Sequence, residues 1–361
     1  MPDSGTTPKP LVVYFASSNR GRGIYVYSLD TETGSLAEVG VSEIPGRGWL
    51  DLAPNAQALY AAVDGDAVAA FAIDQATGAL TALNTSPTGT SSWSHLSIDP
   101  SGKYVVGASY SGGAVSVVSI NPDGSLGAPT DVVQHEGDVP GPHPDQTQAK
   151  AHQCPWDLSG KWVVVNDLGL DRTYVYSLDT ATGKLAANNP PFIQYERGRG
   201  PRHLAFHPSN RFAYVINELS AEMTALTWDA AAGVFTELHT LTTLPDGWTG
   251  RKWTAQVLVH PNGRFVYGSN RGSGGPSDDI VIYAIDQDTG RLTLAGHADT
   301  LGQVARNFNI DPSGRWLVCA HQDSDNVVVF SIDQETGQLT PTGSQVSVAN
   351  AVCTQFAPSI G

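Results

Sequence analysis

Basic residues are scarce in this chain: 20 Lys and Arg stand against 35 Asp and Glu in 361 residues, a formal net charge of −15. Nucleic acid and anionic membranes both require clustered positive charge, so neither is expected as a partner. Cysteine is nearly absent. Cys154, Cys319 and Cys353 are odd in number and sit at no useful spacing, so no disulfide framework is expected, and Cys319, inside an apolar run, reads as a core residue. No apolar run is long enough for a signal peptide or a membrane span, which makes a cytoplasmic location the expectation. The Gly-x-Ser-x-Gly elbow, the Walker loop, the dinucleotide fingerprint, Cys-x-x-Cys and His-Glu-x-x-His are all missing. No metal and no cofactor are therefore expected.

What the chain does have is a repeat. Asp30-Thr31-Glu32-Thr33-Gly34-Ser35-Leu36 returns, with variations, seven times, its glycines at 34, 78, 124, 183, 233, 290 and 337. Before each copy stands a second block, such as His95-Leu96-Ser97-Ile98-Asp99-Pro100-Ser101-Gly102 followed by Tyr104-Val105-Val106. The apolar runs are rich in Val, Ile and Tyr and read as strands, while Pro-Ser-Gly and Thr-Gly read as tight turns with glycine at the positive-φ position. Each unit is then strand A, a Pro-x-Gly turn, strand B, a loop, strand C, a Thr-Gly turn and strand D. A period of about fifty residues without helical patterning predicts an all-β fold, a seven-bladed β-propeller of four-stranded antiparallel blades. The chain opens on a strand B (Leu11-Val12-Val13-Tyr14-Phe15-Ala16) and closes on a strand A before Ala357-Pro358-Ser359. Pairing of these N- and C-terminal strands in one blade would close the ring and remove exposed sheet edges. Residues 11–361 are expected to form one propeller domain, and 1–10 a disordered tail.

A–B and C–D turns share one face of such a ring; B–C and D–A connections share the other. The first face carries only short turns. The second carries the irregular segments: D–A connections over 127–151, 190–201 and 245–254, and B–C loops over 167–172, 217–222 and 270–279. Long loops on a rigid scaffold are where function concentrates. Polar residues interrupt the strand pattern at this end: His152, Arg202, His203, Gln256 and Arg306 at starts of A strands, and Glu218, Asn270, Arg271 and Gln322 at ends of B strands. Guanidinium groups can bind a carboxylate or phosphate and stabilise an oxyanion, and His or Glu can move a proton.

Weighed singly, several of these have plainer readings. A lone histidine such as His152 is more often structural than catalytic, and Glu218 could simply pair with a nearby arginine. His207 and His260 precede A–B turns on the opposite face and read as structural. Asp171 and Arg172 are expected to pair within a turn. Trp49, Trp93, Trp248 and Trp253 fall on the irregular side, where sugar stacking and packing are both open.

At Asp167-Leu168-Gly169-Leu170-Asp171-Arg172, Gly200-Pro201-Arg202-His203, Asn217-Glu218 and Ser269-Asn270-Arg271-Gly272 the chain resembles the seven-bladed propeller lactonase family. That family includes bacterial propeller-type 6-phosphogluconolactonases and fungal 3-carboxy-cis,cis-muconate lactonizing enzymes. The resemblance implies a metal-independent enzyme whose catalytic residues are His152, Arg202, Glu218 and Arg271, the four that the face argument also selects. His203, Gln256, Asn270, Arg306 and Gln322 are expected to bind substrate. The expected reaction is hydrolysis of a sugar-acid lactone, with a small anionic or sugar-derived lactone as partner. The alternatives are a muconate-type cycloisomerase and a non-enzymatic ligand-binding propeller. One departure is the run Cys154-Pro155-Trp156, unusual after His152.

Overall fold

The computed structural model describes residues 10–44, 48–91, 93–272, 274 and 277–357. It contains seven four-stranded antiparallel sheets, each in the order A-B-C-D. One blade joins Ala351–Phe356 to Leu11–Ser17, Gly23–Leu29 and Leu36–Glu43. The other six begin with A strands at Leu50–Leu52, Trp93–Ile98, Ala151–Gln153, Pro201–Phe206, Thr254–Val259 and Ala305–Ile310. Neighbouring A strands touch all the way round, so they line the axis of the ring. The expected tail falls outside the described residues except for Pro10, as does the turn at Pro358-Ser359.

Strand B is apolar without alternation because both its faces are covered. Leu11, Val13 and Phe15 pack against Trp316, Val318 and Ala320 of the preceding blade. Val12, Tyr14 and Ala16, on the other face, pack against Leu59, Ala61 and Phe71 of the following one. Each such side chain contributes about 1.5–3 kcal/mol on full burial, so the ring is held by sheet-to-sheet packing.

The Thr-Gly turns have a second role. In every blade an aromatic residue at the start or middle of strand B donates a hydrogen bond to the C–D turn of the next blade. Tyr14, Tyr60, Tyr214 and Tyr267 reach the carbonyls of Gly78, Gly124, Gly290 and Gly337 at 2.9, 3.0, 3.1 and 2.9 Å. Tyr104 reaches Thr180 O at 3.3 Å, Trp162 reaches Ala230 O at 2.8 Å, and Trp316 reaches Thr31 O across the closure at 3.0 Å. The turn glycines sit at positive φ, 72° at Gly34 for example, which a side chain would strain.

The A–B turns are tied in two ways. Asp99, Asp157 and Asp311 accept backbone N–H groups of their own turn. Where histidine replaces aspartate, Nδ1 accepts from the turn and Nε2–H reaches the next blade: His207 to Gly263 O at 2.9 Å and His260 to Gly314 O at 2.8 Å. The expected structural reading of both histidines takes this form.

Two expectations change. The segments 127–151 and 190–201 are partly strand, because the D strands run on through Leu126–Gln134 and Lys184–Gln194. As outer-edge strands they tolerate Pro129, Pro190 and Pro191, whose missing N–H groups interrupt pairing only locally. Asp171 does not pair with Arg172. Its carboxylate accepts the backbone N–H groups of Gly198 and Gly200 at 2.8 and 2.7 Å, whereas Arg172 turns to Gln194 and Glu136. Adjacent side chains leave the backbone in different directions, and buried Asp171 satisfies its charge on the following D–A loop.

Candidate active site

Besides the closing blade, whose A strand skips Val352, five A strands share an irregularity at the channel mouth. Pairing with strand B skips one register between Trp93 and His95, Ala151 and Gln153, Pro201 and His203, Thr254 and Val257, and Ala305 and Asn307. Such bulges re-aim a side chain and are common beside functional sites. In four blades the unpaired residue is Ser94, His152, Arg202 or Arg306. A second set of positions follows strand B directly: Ser18, Tyr110, Glu218, Arg271 and Gln322. Bulge and strand end meet at the same end of the ring, so side chains from separate blades converge there.

The centre of the cluster is Glu218. Its Oε2 lies 2.8 Å from Arg202 Nε and 3.1 Å from Arg271 Nη2, and its Oε1 accepts Trp253 Nε1–H at 2.9 Å. Arg202 Nε faces the carboxylate as an ion pair without an aligned hydrogen bond. The remaining arginine contacts anchor the forks: Arg202 Nη1 donates to Ala255 O at 2.8 Å, and Arg271 Nη2 to Thr254 O at 2.7 Å. Arg271 also lies over Trp253, and its Nη1 is buried without a hydrogen-bond partner.

Histidines form the next layer. His203 accepts Arg202 Nη1–H at Nε2 (3.1 Å), so its Nδ1–H donates to Gln256 Oε1 at 2.5 Å. His152 lies 5.1 Å from the His203 ring and 5.6 Å from Tyr110, and its Nδ1 is buried without a partner. Trp49 packs over His95 and His203 with centroids at 4.3 and 5.2 Å. Burial, followed by the repulsion of Arg202 and its neighbours, holds His152 and His203 well below the ordinary histidine range. Both rings are neutral at pH 7. Burial works to raise the Glu218 carboxyl, but Arg271, Arg202 and the Trp253 N–H outweigh it and leave Glu218 below its ordinary value. Burial pulls Arg202 and Arg271 down while Glu218 pulls them up, and guanidinium groups in this setting stay charged at neutral pH.

A cavity of about 250 Å³ opens beside these groups, lined by Trp49, Ser94, Arg202, Arg306 and Gln322 among others. Arg306 Nη1 donates to Gln322 Oε1 at 3.2 Å. A larger cavity of about 850 Å³ lies between two blades on the turn face and touches none of the candidate residues. We take the smaller one as the candidate site, because Arg202 and Arg306, both at bulges, line it and Arg202 joins it to the Glu218 cluster.

His152, Arg202, His203, Glu218, Arg271, Arg306 and Gln322 thus come together. Gln256 sits behind His203 as its hydrogen-bond support. Asn270 does not join them: its amide is engaged by Thr243 and Asp279, where it ties loops together. Trp93 is buried with its Nε1–H on Ser116 and its edge borders the smaller cavity, whereas Trp248 is half-buried and its Nε1–H caps Arg251 O. Cys154 is buried against His95, its Sγ 3.4 Å from Nδ1. Sequence reasoning missed Tyr110, which lies near Glu218 and takes Lys150 Nζ on its hydroxyl at 3.3 Å. Its position directly after strand B, matching Glu218 and Arg271, was the available signal.

Among the described residues, no group of three His, Cys, Asp or Glu is arranged to hold a metal ion, and no helix is long and apolar enough to cross a membrane.

The model of the family described as "Lactonase, 7-bladed beta-propeller" matches residues 11–356. A 6-phosphogluconolactonase of Bacillus subtilis (strain 168) is 35% identical over 338 residues, covering 92% of this chain and 94% of that protein. A 6-phosphogluconolactonase of Pectobacterium carotovorum is 36% identical over 320 residues, covering 87% of this chain and 88% of its own. Among solved structures, a periplasmic gluconolactonase of Pseudomonas aeruginosa superposes with a TM-score of 0.89 at 27% identity, covering 97% of this chain and 99% of that one. With a family match running from the first described strand to the last, this chain belongs to the seven-bladed β-propeller lactonases.

Proposed function

We propose that the protein hydrolyses a sugar-acid lactone at the Glu218–Arg202–Arg271 cluster, with His152 as general base. The observation that carries this reading is His152, its buried Nδ1 without a partner and its ring 5.1 Å from His203, in one cluster with two guanidinium groups held by a single carboxylate. His152 takes a proton from water as the water oxygen attacks the lactone carbonyl. Arg202 and Arg271 stabilise the tetrahedral oxyanion, a contribution worth about 3 kcal/mol per well-placed donor. Collapse breaks the acyl C–O bond, and the His152 imidazolium returns its proton to the ring-opened alkoxide. The hydroxy acid then leaves, releasing a proton to solvent as it ionises. Glu218 keeps the arginines aimed; its oxygens are taken up by Arg202, Arg271 and Trp253, whereas His152 Nδ1 has no partner. In this reading the guanidinium groups, rather than a metal ion, carry the oxyanion charge.

Ring opening of 6-phosphoglucono-1,5-lactone and glucono-1,5-lactone, followed as proton release, tests the reading with Arg271→Lys, Glu218→Gln and untreated or chelator-treated wild type. Folded variants with wild-type rates would remove the assignment. Loss of activity with EDTA, restored by a divalent cation, would overturn the metal-free chemistry. Support from relatives is shared: those named above are described as 6-phosphogluconolactonases and as a gluconolactonase.

A further inference from the structure

We infer that Arg306, with Gln322 beside it, reads a negatively charged substituent of the substrate at a point separate from the reacting carbonyl. The inference rests on the lactonase reading and sharpens it from lactones in general to the residue that selects among them.

Three guanidinium groups converge on the mouth of the ring, but they are not equivalent. Arg202 and Arg271 are 2% and 1% exposed and share one oxygen of Glu218. Their remaining bonds to Ala255 O and Thr254 O fix them to the scaffold. Arg306 comes from a different blade, is partly exposed, and lines the 250 Å³ cavity. Its hydrogen bond goes to the neutral amide oxygen of Gln322, and among the described residues no carboxylate lies within ion-pair distance of it.

The charge balance points the same way. Glu218 contributes one negative charge against three guanidinium groups, and the histidines between them are neutral. A surplus of positive charge held out of bulk water is costly unless a partner answers it. Glu218 is in direct contact with Arg202 and Arg271, whereas Arg306 feels Glu218 and Asp323 only at longer range and has the neutral Gln322 amide as its contact. Arg202 and Arg306 border the same cavity, whose volume of about 250 Å³ falls just below the usual range for ligand pockets and so suits only a small ligand. A ligand of one sugar ring would place its carbonyl towards Arg202 and an anionic oxygen group on Arg306. The planar fork of Arg306 suits two such oxygens, and the bond to Gln322 holds it in place.

The experiment compares wild type, Arg306→Gln and Arg306→Lys on 6-phosphoglucono-1,5-lactone and glucono-1,5-lactone. The readout is the ratio of kcat/KM for the phosphorylated over the unphosphorylated lactone. Loss of a charge-assisted contact lowers this ratio about tenfold to a hundredfold in Arg306→Gln, carried by KM, with partial recovery in Arg306→Lys. A ratio within threefold of wild type in Arg306→Gln overturns the inference, whatever the absolute rates. If wild type opens neither lactone, the lactonase reading fails and the inference is judged by calorimetric titration with 6-phosphogluconate. Binding to wild type that is lost in Arg306→Gln supports it; binding that is equal in both, or absent from wild type, overturns it.

Discussion

Arg271 lies over Trp253, its Cζ 3.7 Å from the ring centroid, while the same indole donates Nε1–H to Glu218 at 2.9 Å. Trp253 therefore holds both ends of the Arg271–Glu218 pair, one through its π face and one through its edge. A desolvated cation–π contact contributes about 2 kcal/mol. Trp253→Phe keeps the face and drops the N–H. It is expected to lower kcat about three- to tenfold on the lactone that the protein opens, with Trp253→Leu worse because both contacts go. Steady-state rates for the two variants check the ordering.

Glu218→Gln leaves two buried guanidinium groups without a counter-charge. Breaking a buried ion pair in this way costs about 3–5 kcal/mol, so chemical denaturation of this variant should show a midpoint well below wild type. A change under 1 kcal/mol would mean that solvent reaches the cluster freely.

His152→Gln should reduce kcat by about two to four orders of magnitude, the span of general acid–base catalysis. The wild-type rate should hold steady from neutral pH down through 6.5, the ordinary histidine value, because the base is already neutral and its affinity for protons is depressed. An acid limb with a midpoint near 6.5 in kcat/KM would contradict the assignment.

Stability, unlike rate, should fall on the acid side. Burial, with the Arg202 charge after it, pushes His95 from 6.5 down to about 3, and burial pushes His321 down to about 4. Below pH 6.5 the unfolded chain takes up protons that the folded one refuses, so ΔG of unfolding falls with pH through the window from 6.5 to these lower values. Each such histidine contributes about 1.4 kcal/mol per pH unit there. Denaturation midpoints from pH 7 to 4 check the slope, and His95→Gln should make it shallower.

His260→Ala tests the turn face. Losing its bond to Gly314 O removes one of that carbonyl's two donors, Gln334 Nε2 at 2.7 Å being the other, at a site where His260 is 1% exposed, and a single hydrogen bond is worth about 0.5–1.5 kcal/mol. Thermal melting should register the loss, while lactone kinetics remain those of wild type.

Much of the architecture was legible because the repeat sits where the backbone is most demanding. Gly34 and its equivalents need positive φ in every copy, and the Asp30-type carboxylate, replaced only by Asn121 in the third, accepts the turn's own N–H groups, so both leave a mark in the repeat. The site was half legible. His152, Arg202, Glu218 and Arg271 stand out as polar residues at the ends of apolar runs. Asn270 stands out equally, yet its amide is engaged by Thr243 and Asp279. Tyr110 did not stand out, since an aromatic residue after an apolar strand looks like more core.

The sequence by itself determined the blade count, the turns and the pairing of the terminal strands, because glycine conformations and strand faces are local properties written in residue type. Only the tertiary structure decided which polar residues meet. The bulges that leave Ser94, His152, Arg202 and Arg306 unpaired are defined against the register of the neighbouring strand. Likewise, the division of labour among three arginines depends on one carboxylate that reaches two of them and leaves Arg306 to the cavity.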